Sequence, residues 1–491
     1  MKKFIAIILL LCMLFSVFTG CENNSDNAII YYELSEMPQT VDPQLAHSNS
    51  ELIISRNIYE GLMREDVDGK IVKGAAKEYS VSENIYTFIL RDDIKWSDGK
   101  PLTAYDFVFG FRRGVDPINN TPYAEKLYFI KNAKNIRSAS AALSSLGVSA
   151  LNDYTLKIEV NKGENSDEIL KSLTLPISMP CREDFFNECN GRYGMSSDTT
   201  LSNGSYRLRL WDTDNNKLRI WTNPYYNGEH IAKNSAVIFT YDTDKAAISR
   251  LEDENVDIAQ IQTADILKAE ELGLNIAQFE NITWLLVMND KKYSSALRQA
   301  FAASFNTDKY SSSLIEGYNI SRDIFPEEVK KGEALSPATE ITVSPQTLYK
   351  NAVAGLKNQN PGIIEIVYYN DEVMYEALID IVGNWQKQFG VTVNLVPSKD
   401  LSVLQSQIKT PTYDMCLVPL ISYDGDTENY FKYFGIPKSD LQKTQNTLIE
   451  SYKIIPVAAQ NTCFAYTSNL TQINISLKAG ITDFAYVVKK D

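Results

Sequence analysis

Ile363–Tyr369 reads as a strand, Glu372–Phe389 as a helix and Val391–Val396 as a second strand, and this succession constrains the fold more than any other feature of the chain. A strand, a long helix and a strand in that order require a crossover connection, which makes the sheet parallel or mixed. Related alternation runs through the rest. Ala28–Leu34 reads as a buried strand, Glu51–Met63 as a helix ending near Gly61, and Tyr154–Val160, Ser205–Trp211, Lys217–Trp221 and Ala236–Tyr241 as strands. Helix Asp244–Leu251 leads into strand Val256–Ile261, strand Ile282–Met288 precedes helix Ser294–Ser304, and Tyr413–Val418 is a further strand. Pro326–Pro345 is the least structured stretch. With 491 residues at 44% hydrophobic, the chain is long enough for about two to four domains. Two α/β regions in one chain imply two lobes and a cleft between them, the favoured place for a ligand.

Met1–Cys21 is a targeting segment. Lys2 and Lys3 form its charged start, Phe4–Phe18 is an almost unbroken apolar run, and the run ends at Phe18-Thr19-Gly20-Cys21. It is too short for a comfortable membrane span, which needs about 20 residues. The ending resembles the bacterial lipoprotein box, with Phe18 in place of the usual Leu, and implies cleavage before Cys21 and a lipid anchor on it. Glu22–Asn27 carries no apolar residue, as expected of a tether.

The formal charge is -14. Without residues 1–20, which hold two lysines and no acid, it is -16. So acidic a chain argues against nucleic acid or anionic lipid as a partner, since either needs a basic patch. Four cysteines remain beyond Cys12 and Cys21, too few for a disulfide framework in a chain of this length. Cys181 and Cys189, on a helix suggested by CREDFFNEC, would stand about 12 Å apart, beyond the reach of a disulfide.

The chemistry of catalysis is missing. Two histidines, His47 and His230, and no C-x-x-C or H-E-x-x-H disfavour zinc. Asp66-Val67-Asp68-Gly69 has its glycine at the fourth place instead of the sixth, so it reads as a β-turn and not a calcium loop. Ser97-Asp98-Gly99-Lys100 matches S-x-x-K formally, but Asp-Gly forces a turn and no K-T-G follows. No nucleophile with a base can be named, and no cofactor is expected.

Arg91–Phe107 (RDDIKWSDGKPLTAYDF) joins an alternating strand to an Asp98-Gly99 turn and a helix. Thr103 and Asp106 form a short-armed capping box at the start of that helix. This stretch carries a resemblance. With Thr40-Val41-Asp42-Pro43, Asn57–Leu62, Tyr86-Thr87-Phe88, KWSDGK at Lys95–Lys100 and Val115-Asp116-Pro117, the chain resembles the extracytoplasmic solute-binding proteins of ABC-type oligopeptide transporters, family 5. Asn203–Tyr206, Asn223–Tyr226, Val256-Asp257-Ile258, Leu297–Ala300, Tyr413-Asp414-Met415 and Ile455-Pro456 extend the likeness over nearly the whole mature chain.

The resemblance implies an α/β, two-lobed fold of the periplasmic-binding-protein type II kind, with mixed sheets, a hinge and an extra domain in the first lobe. The expected organisation is a signal peptide (1–20), a tether (21–27), lobe I (28–58, 180–280 and a return at 460–491), the extra domain (59–179) and lobe II (281–459). It also implies a binding protein with no catalytic role. This would be a monomer anchored by lipid on Cys21 at the extracytoplasmic face of the cell membrane, closing on a peptide and delivering it to the permease of an ABC importer. A peptide or pheromone receptor uncoupled from transport is one alternative, and a cell-envelope hydrolase another.

By the same resemblance, Tyr123 is expected to contact the ligand and Asp424, with Asp426 as fallback, to pair with a peptide's α-ammonium. His47, Ser48 and Asn49 fall in the loop that lines the cleft. There are departures too. Pro419-Leu420 replaces the usual Gly-Trp, which removes an aromatic wall, and Ile408 and Leu417 stand where cations can meet the peptide carboxylate. Lys409 is left as the nearest cation, Tyr375 replaces a histidine, and Ala458 and Ala459 stand where tyrosines are common. Without a buried cation a terminal carboxylate is costly to desolvate, which points to longer or modified peptides, or another solute.

Overall fold

A computed structural model of the chain describes residues 28–242, 244–305, 310–336, 341–356, 359–422, 428–436, 439–475 and 483–490. In the first lobe, β1 (Ile29–Glu33) leads through a loop to helix α1 (Asn49–Ile58). The helix starts two residues before, and ends five before, the sequence expectation of 51–63. It stops where Tyr59 turns extended (φ -119°, ψ 153°), and Met63 already belongs to a hairpin of β2 (Met63–Glu65) and β3 (Ile71–Lys73). Asp66–Gly69 is that hairpin's turn: Gly69 N–H donates to Asp66 O (3.0 Å), and the Asp66 carboxylate accepts from the N–H groups of Asp68 and Lys70.

The extra domain is a four-stranded antiparallel sheet of β4 (Ala76–Ser82), β5 (Ile85–Leu90), β6 (Val148–Asn152) and β7 (Thr155–Glu159), ordered β4-β5-β7-β6. Helix α2 (Ala104–Val115) packs on it through Phe107 and Phe111. The Asp106 carboxylate reaches back to the N–H of Thr103 (2.8 Å) and also accepts from the Thr103 hydroxyl and Trp96 Nε1 (both 3.3 Å). Burial nonetheless pushes this carboxyl up to about 6, against about 3.9 unfolded. Between those values the folded state holds the extra proton, so Asp106's contribution to stability declines as pH rises through that window. Urea midpoints measured across the window should fall more steeply with pH in the natural chain than in Asp106→Asn; parallel profiles would contradict this.

The main sheet has eleven strands and runs through both lobes. Its first-lobe part holds β1, β8 (Tyr206–Asp212), β9 (Lys217–Thr222), β10 (Ala236–Thr240) and β11 (Ile258–Ile261). β1 lies parallel to both β10 and β11. Then β12 (Asn275–Met288) crosses into the second lobe, which holds α3 (Ser295–Ala303), β13 (Tyr318–Ile320), α4 (Pro345–Val353), β14 (Ile363–Tyr369), α5 (Glu372–Phe389), β15 (Thr392–Ser398), α6 (Leu401–Lys409) and β16 (Met415–Ile421). β14 is parallel to β15 and β16, as the crossover argument requires, and β17 (Ile454–Tyr466) returns to the first lobe. Alternate residues of β12 feed two second-lobe cores: Trp284, Leu286 and Met288 one, Leu285 and Val287 the other. The extra domain shares one core with the first lobe, where Phe88 and Phe107 join Phe239 and Ile258. Among the described residues no helix is long and apolar enough to cross a membrane.

The crossing is sharply marked. β17 pairs with β11 through Cys463–Tyr466 but with β13 through Ala458–Gln460, so its outer neighbour changes at Asn461-Thr462. On β12 the register shifts between Glu280 and Ile282, leaving Asn281 in a bulge. The buried Asn281 amide donates to Ser422 O (2.9 Å) and accepts from Thr462 N–H (3.2 Å), and its backbone carbonyl takes the Ser422 N–H (2.9 Å). One side chain thus joins β12, β16 and β17 where the lobes meet. Asn281→Ala strands two buried backbone groups and is expected to cost roughly 1–3 kcal/mol by urea denaturation; a smaller loss would mean that water replaces the amide.

Candidate functional site

On the first-lobe side, the candidate site is the loop leaving the carboxyl end of β1. Its organiser is Glu51, 1% exposed. The carboxylate accepts from four backbone N–H groups, those of Gln39 (3.0 Å), Thr40 (3.3 Å), His47 (2.9 Å) and Ser48 (3.1 Å). The Ser48 hydroxyl accepts from Glu51 N–H (3.3 Å), so it caps α1, and Asn49 is that helix's first residue. His47 Nδ1 lies 3.1 Å from the Glu51 carboxylate while its ring stays exposed. Tyr123, at the start of a short 3-10 turn (Ala124–Leu127), donates its hydroxyl to His47 O (3.3 Å). The structure therefore brings Tyr123 together with His47–Asn49. Sequence reading missed Glu51, although Ser48-x-x-Glu51 is a capping-box pattern.

The second-lobe wall is formed by the carboxyl ends of β14 and β16, the usual ligand side of such sheets. Asp371 caps α5, accepting from Met374 N–H (2.9 Å), and takes the Tyr318 hydroxyl (2.8 Å). Tyr375 sits in the first turn of α5 with its ring stacked on Tyr368 (centroids 5.4 Å, 23°), and Trp284 lies 6.3 Å from Tyr369. The pairing of β14 with β16 ends at Tyr368–Leu417. Beyond it the outer edge of β16 has no strand partner among the described residues, and Gln405 on α6 donates to Pro419 O (3.2 Å).

Several expectations need correcting. Leu420 is fully buried in a second-lobe core with Tyr430, so it is core packing, and the half-buried Tyr369 and Tyr375 supply aromatic rings at this end. Ile408 and Leu417 are likewise core residues. Lys409 is the last residue of α6, exposed, with its stem over Gly435. A helix between parallel strands runs back toward their amino ends, which sets Lys409 about 20 Å from the carboxyl end of β16. Asp424 and Asp426 lie outside the described residues; Ser422, held by Asn281, is the last described residue before them.

A cavity of about 280 Å³ is lined by Arg56, Glu60, Arg64, His230 and Asp483 and, from the second lobe, by Glu328. Its first-lobe charges mostly pair with one another. His230 Nε2 is 2.6 Å from Asp483, Arg64 donates to the Tyr486 hydroxyl (2.9 Å), and Glu60, its carboxyl pushed up by burial, accepts from Tyr226. Cys181, Cys189, Cys416 and Cys463 are free and buried, and burial pushes the Cys181 thiol up to about 12, as suits an inert packing group.

These features match known proteins. Residues 70–441 match the family described as bacterial extracellular solute-binding proteins, family 5 (middle region). The periplasmic oligopeptide-binding protein OppA of Salmonella typhimurium is 26% identical over 386 residues, covering 73% of this chain and 68% of that protein. A probable deoxycholate-binding periplasmic protein, YgiS of Escherichia coli, is 25% identical over 75% of this chain and 70% of its own length. The crystal structure of Haemophilus influenzae OppA in complex with the peptide RPPGFSPFR superposes with a TM-score of 0.71 at 20% identity, covering 95% of this chain and 99% of that one. With a family match over more than half its length and the two-lobed fold to go with it, the chain belongs to the bacterial extracellular solute-binding proteins of family 5 and is a binding protein, not an enzyme.

Proposed function

We propose that this protein is held by lipid on Cys21 at the extracytoplasmic face of the cell membrane, closes its two lobes on a peptide as a monomer, and delivers it to the permease of an ABC importer. The observation that carries this reading is the pair of facing walls: the Tyr123–His47 contact on the first lobe and the open edge of β16 on the second, joined through β12 and β17. An extended peptide satisfies its backbone by pairing with such an edge. At Pro419 there is no N–H to offer and the carbonyl is taken, so Ile421 is the next residue along this edge with both backbone groups. Asp424, or Asp426, follows and is the proposed acceptor of the peptide's α-ammonium. Closure requires the ligand to bind the closed form better than the open one.

Mass spectrometry of ligand co-purified with the mature protein tests the substrate class, and peptide uptake after deletion of the chain tests delivery. Normal uptake would leave a binding-only receptor. A second reading, a non-peptide solute, is favoured by the similarity to a protein named for deoxycholate. Co-purification of a steroid or other non-peptide would establish it.

A further inference from the structure

The net charge conceals a cluster of the opposite sign. Ile29, Ala236, Trp221 and Arg207 form one cross-strand row on one face of the first-lobe sheet. In the next row on that face, Ile238 pairs with Arg219, and Arg209 is the extra residue of a bulge in β8. Arg209 and Arg219 hold their guanidinium carbons 5.9 and 5.8 Å from the Trp221 ring. Among the described residues none of Arg207, Arg209 and Arg219 has an ion-pair partner, and the buried Nε atoms of Arg207 and Arg219 lack hydrogen-bond partners. Burial, and then the charge on Arg209, lower the pKa of Arg207. Three crowded arginines without ion-pair partners among the described residues thus lie beside a tryptophan that is 41% exposed.

Their place on the molecule says what covers them. Trp221 is two strands, about 10 Å, from Ile29, where the chain enters the sheet. Ala28 O, accepting from Ser235 N–H (3.0 Å), fixes that entry point. Six residues, Glu22–Asn27, separate Cys21 from Ala28, and the seven steps between the two reach at most about 25 Å. We propose that Arg207, Arg209, Arg219 and Trp221 form a membrane-docking surface that seats the outer edge of the first lobe on anionic phospholipid headgroups beside the anchored end. Guanidinium groups match phosphate in a two-point fork, and tryptophan prefers the headgroup level of a bilayer. The remaining acidic surface is screened beyond about 8 Å at physiological salt, so the local cluster sets the contact. This inference rests on Cys21 as the lipid anchor.

The test uses the full lipidated chain on vesicles of brominated phosphatidylcholine with and without phosphatidylglycerol. The emission lost on Trp221→Phe isolates Trp221. Flotation with the neutral vesicles reports the anchor alone, and its failure would remove the anchor reading separately. Quenching of Trp221 is expected only with phosphatidylglycerol, and is expected to vanish at high salt and in Arg207→Gln/Arg209→Gln/Arg219→Gln. Each arginine contributes about fivefold, so the triple change lowers the docked-to-undocked ratio on the order of a hundredfold. The salt arm needs no variant. Unquenched Trp221 on anionic vesicles, or equal quenching on neutral ones, would overturn the proposal. So would a triple variant that loses peptide uptake where the natural chain shows no quenching, which would assign the patch to the permease.

Discussion

Arg113→Ala is expected to destabilise the chain by roughly 3–5 kcal/mol, the range for removing one side of a buried ion pair. Arg113 is 7% and Asp42 1% exposed. The guanidinium meets the carboxylate at two points, Nη1 to Oδ1 at 3.1 Å and Nη2 to Oδ2 at 2.5 Å. Nη1 also donates to Gln44 Oε1 (2.6 Å), and the rings of Phe186 and Tyr193 lie 4.1 and 5.3 Å from the guanidinium carbon. Alanine would leave the Asp42 carboxylate charged and out of water between the first-lobe loop and the extra-domain helix α2. The loss is read as a lowered urea midpoint by circular dichroism. A double replacement, Asp42→Leu with Arg113→Met, should recover much of it, because exchanging a whole buried pair for apolar side chains is often neutral. A loss below about 1 kcal/mol would place the pair in the class of surface ion pairs and contradict the geometry.

Asp424→Asn is expected to weaken a peptide with a free amino terminus by roughly 2–5 kcal/mol, the cost of truncating one partner of a buried charged pair. The same peptide N-acetylated should be much less affected, since it carries no ammonium. Titration calorimetry of both ligands against both proteins separates the loss of the charge from a general loss of binding. Equal losses would transfer the role to Asp426 or away from both carboxylates, and absence of binding by either peptide to the natural chain would count against the peptide reading itself.

The strongly periodic elements were legible in the sequence. Ile363–Tyr369 and Glu372–Phe389 have the bounds expected from the sequence, and the helix runs from its Asp371 cap to Gly390 (φ +68°). The crossing strands were not. Only Ile282–Met288 of β12 reads as a strand, because Asn275, Gln278 and Glu280 break the apolar pattern; what makes the remainder a strand is its ladder with β17, a partner remote in sequence. β17 itself is obscured by Pro456, which the sheet tolerates at a register shift opposite Trp284-Leu285. At the site, His47–Asn49 and Tyr123 were reached through family motifs, and local spacing would not have joined residues so far apart. Lys409 was misjudged for a topological reason, since closeness in sequence to Tyr413-Asp414-Met415 carries no information about which end of β16 it occupies.

The exchange of neighbours along β17 also limits what kind of motion the molecule can perform. Where the two lobes meet, β12 and β17 are hydrogen-bonded to each other on both sides of the crossing, so they cannot swing as independent linkers. A paired ribbon bends or twists as a unit, with Asn281 as a rivet through three strands. In the proposed closure the degree of opening would then be nearly a single coordinate, and a partner docking across both lobes would read occupancy of the cleft as one angle, without touching the ligand.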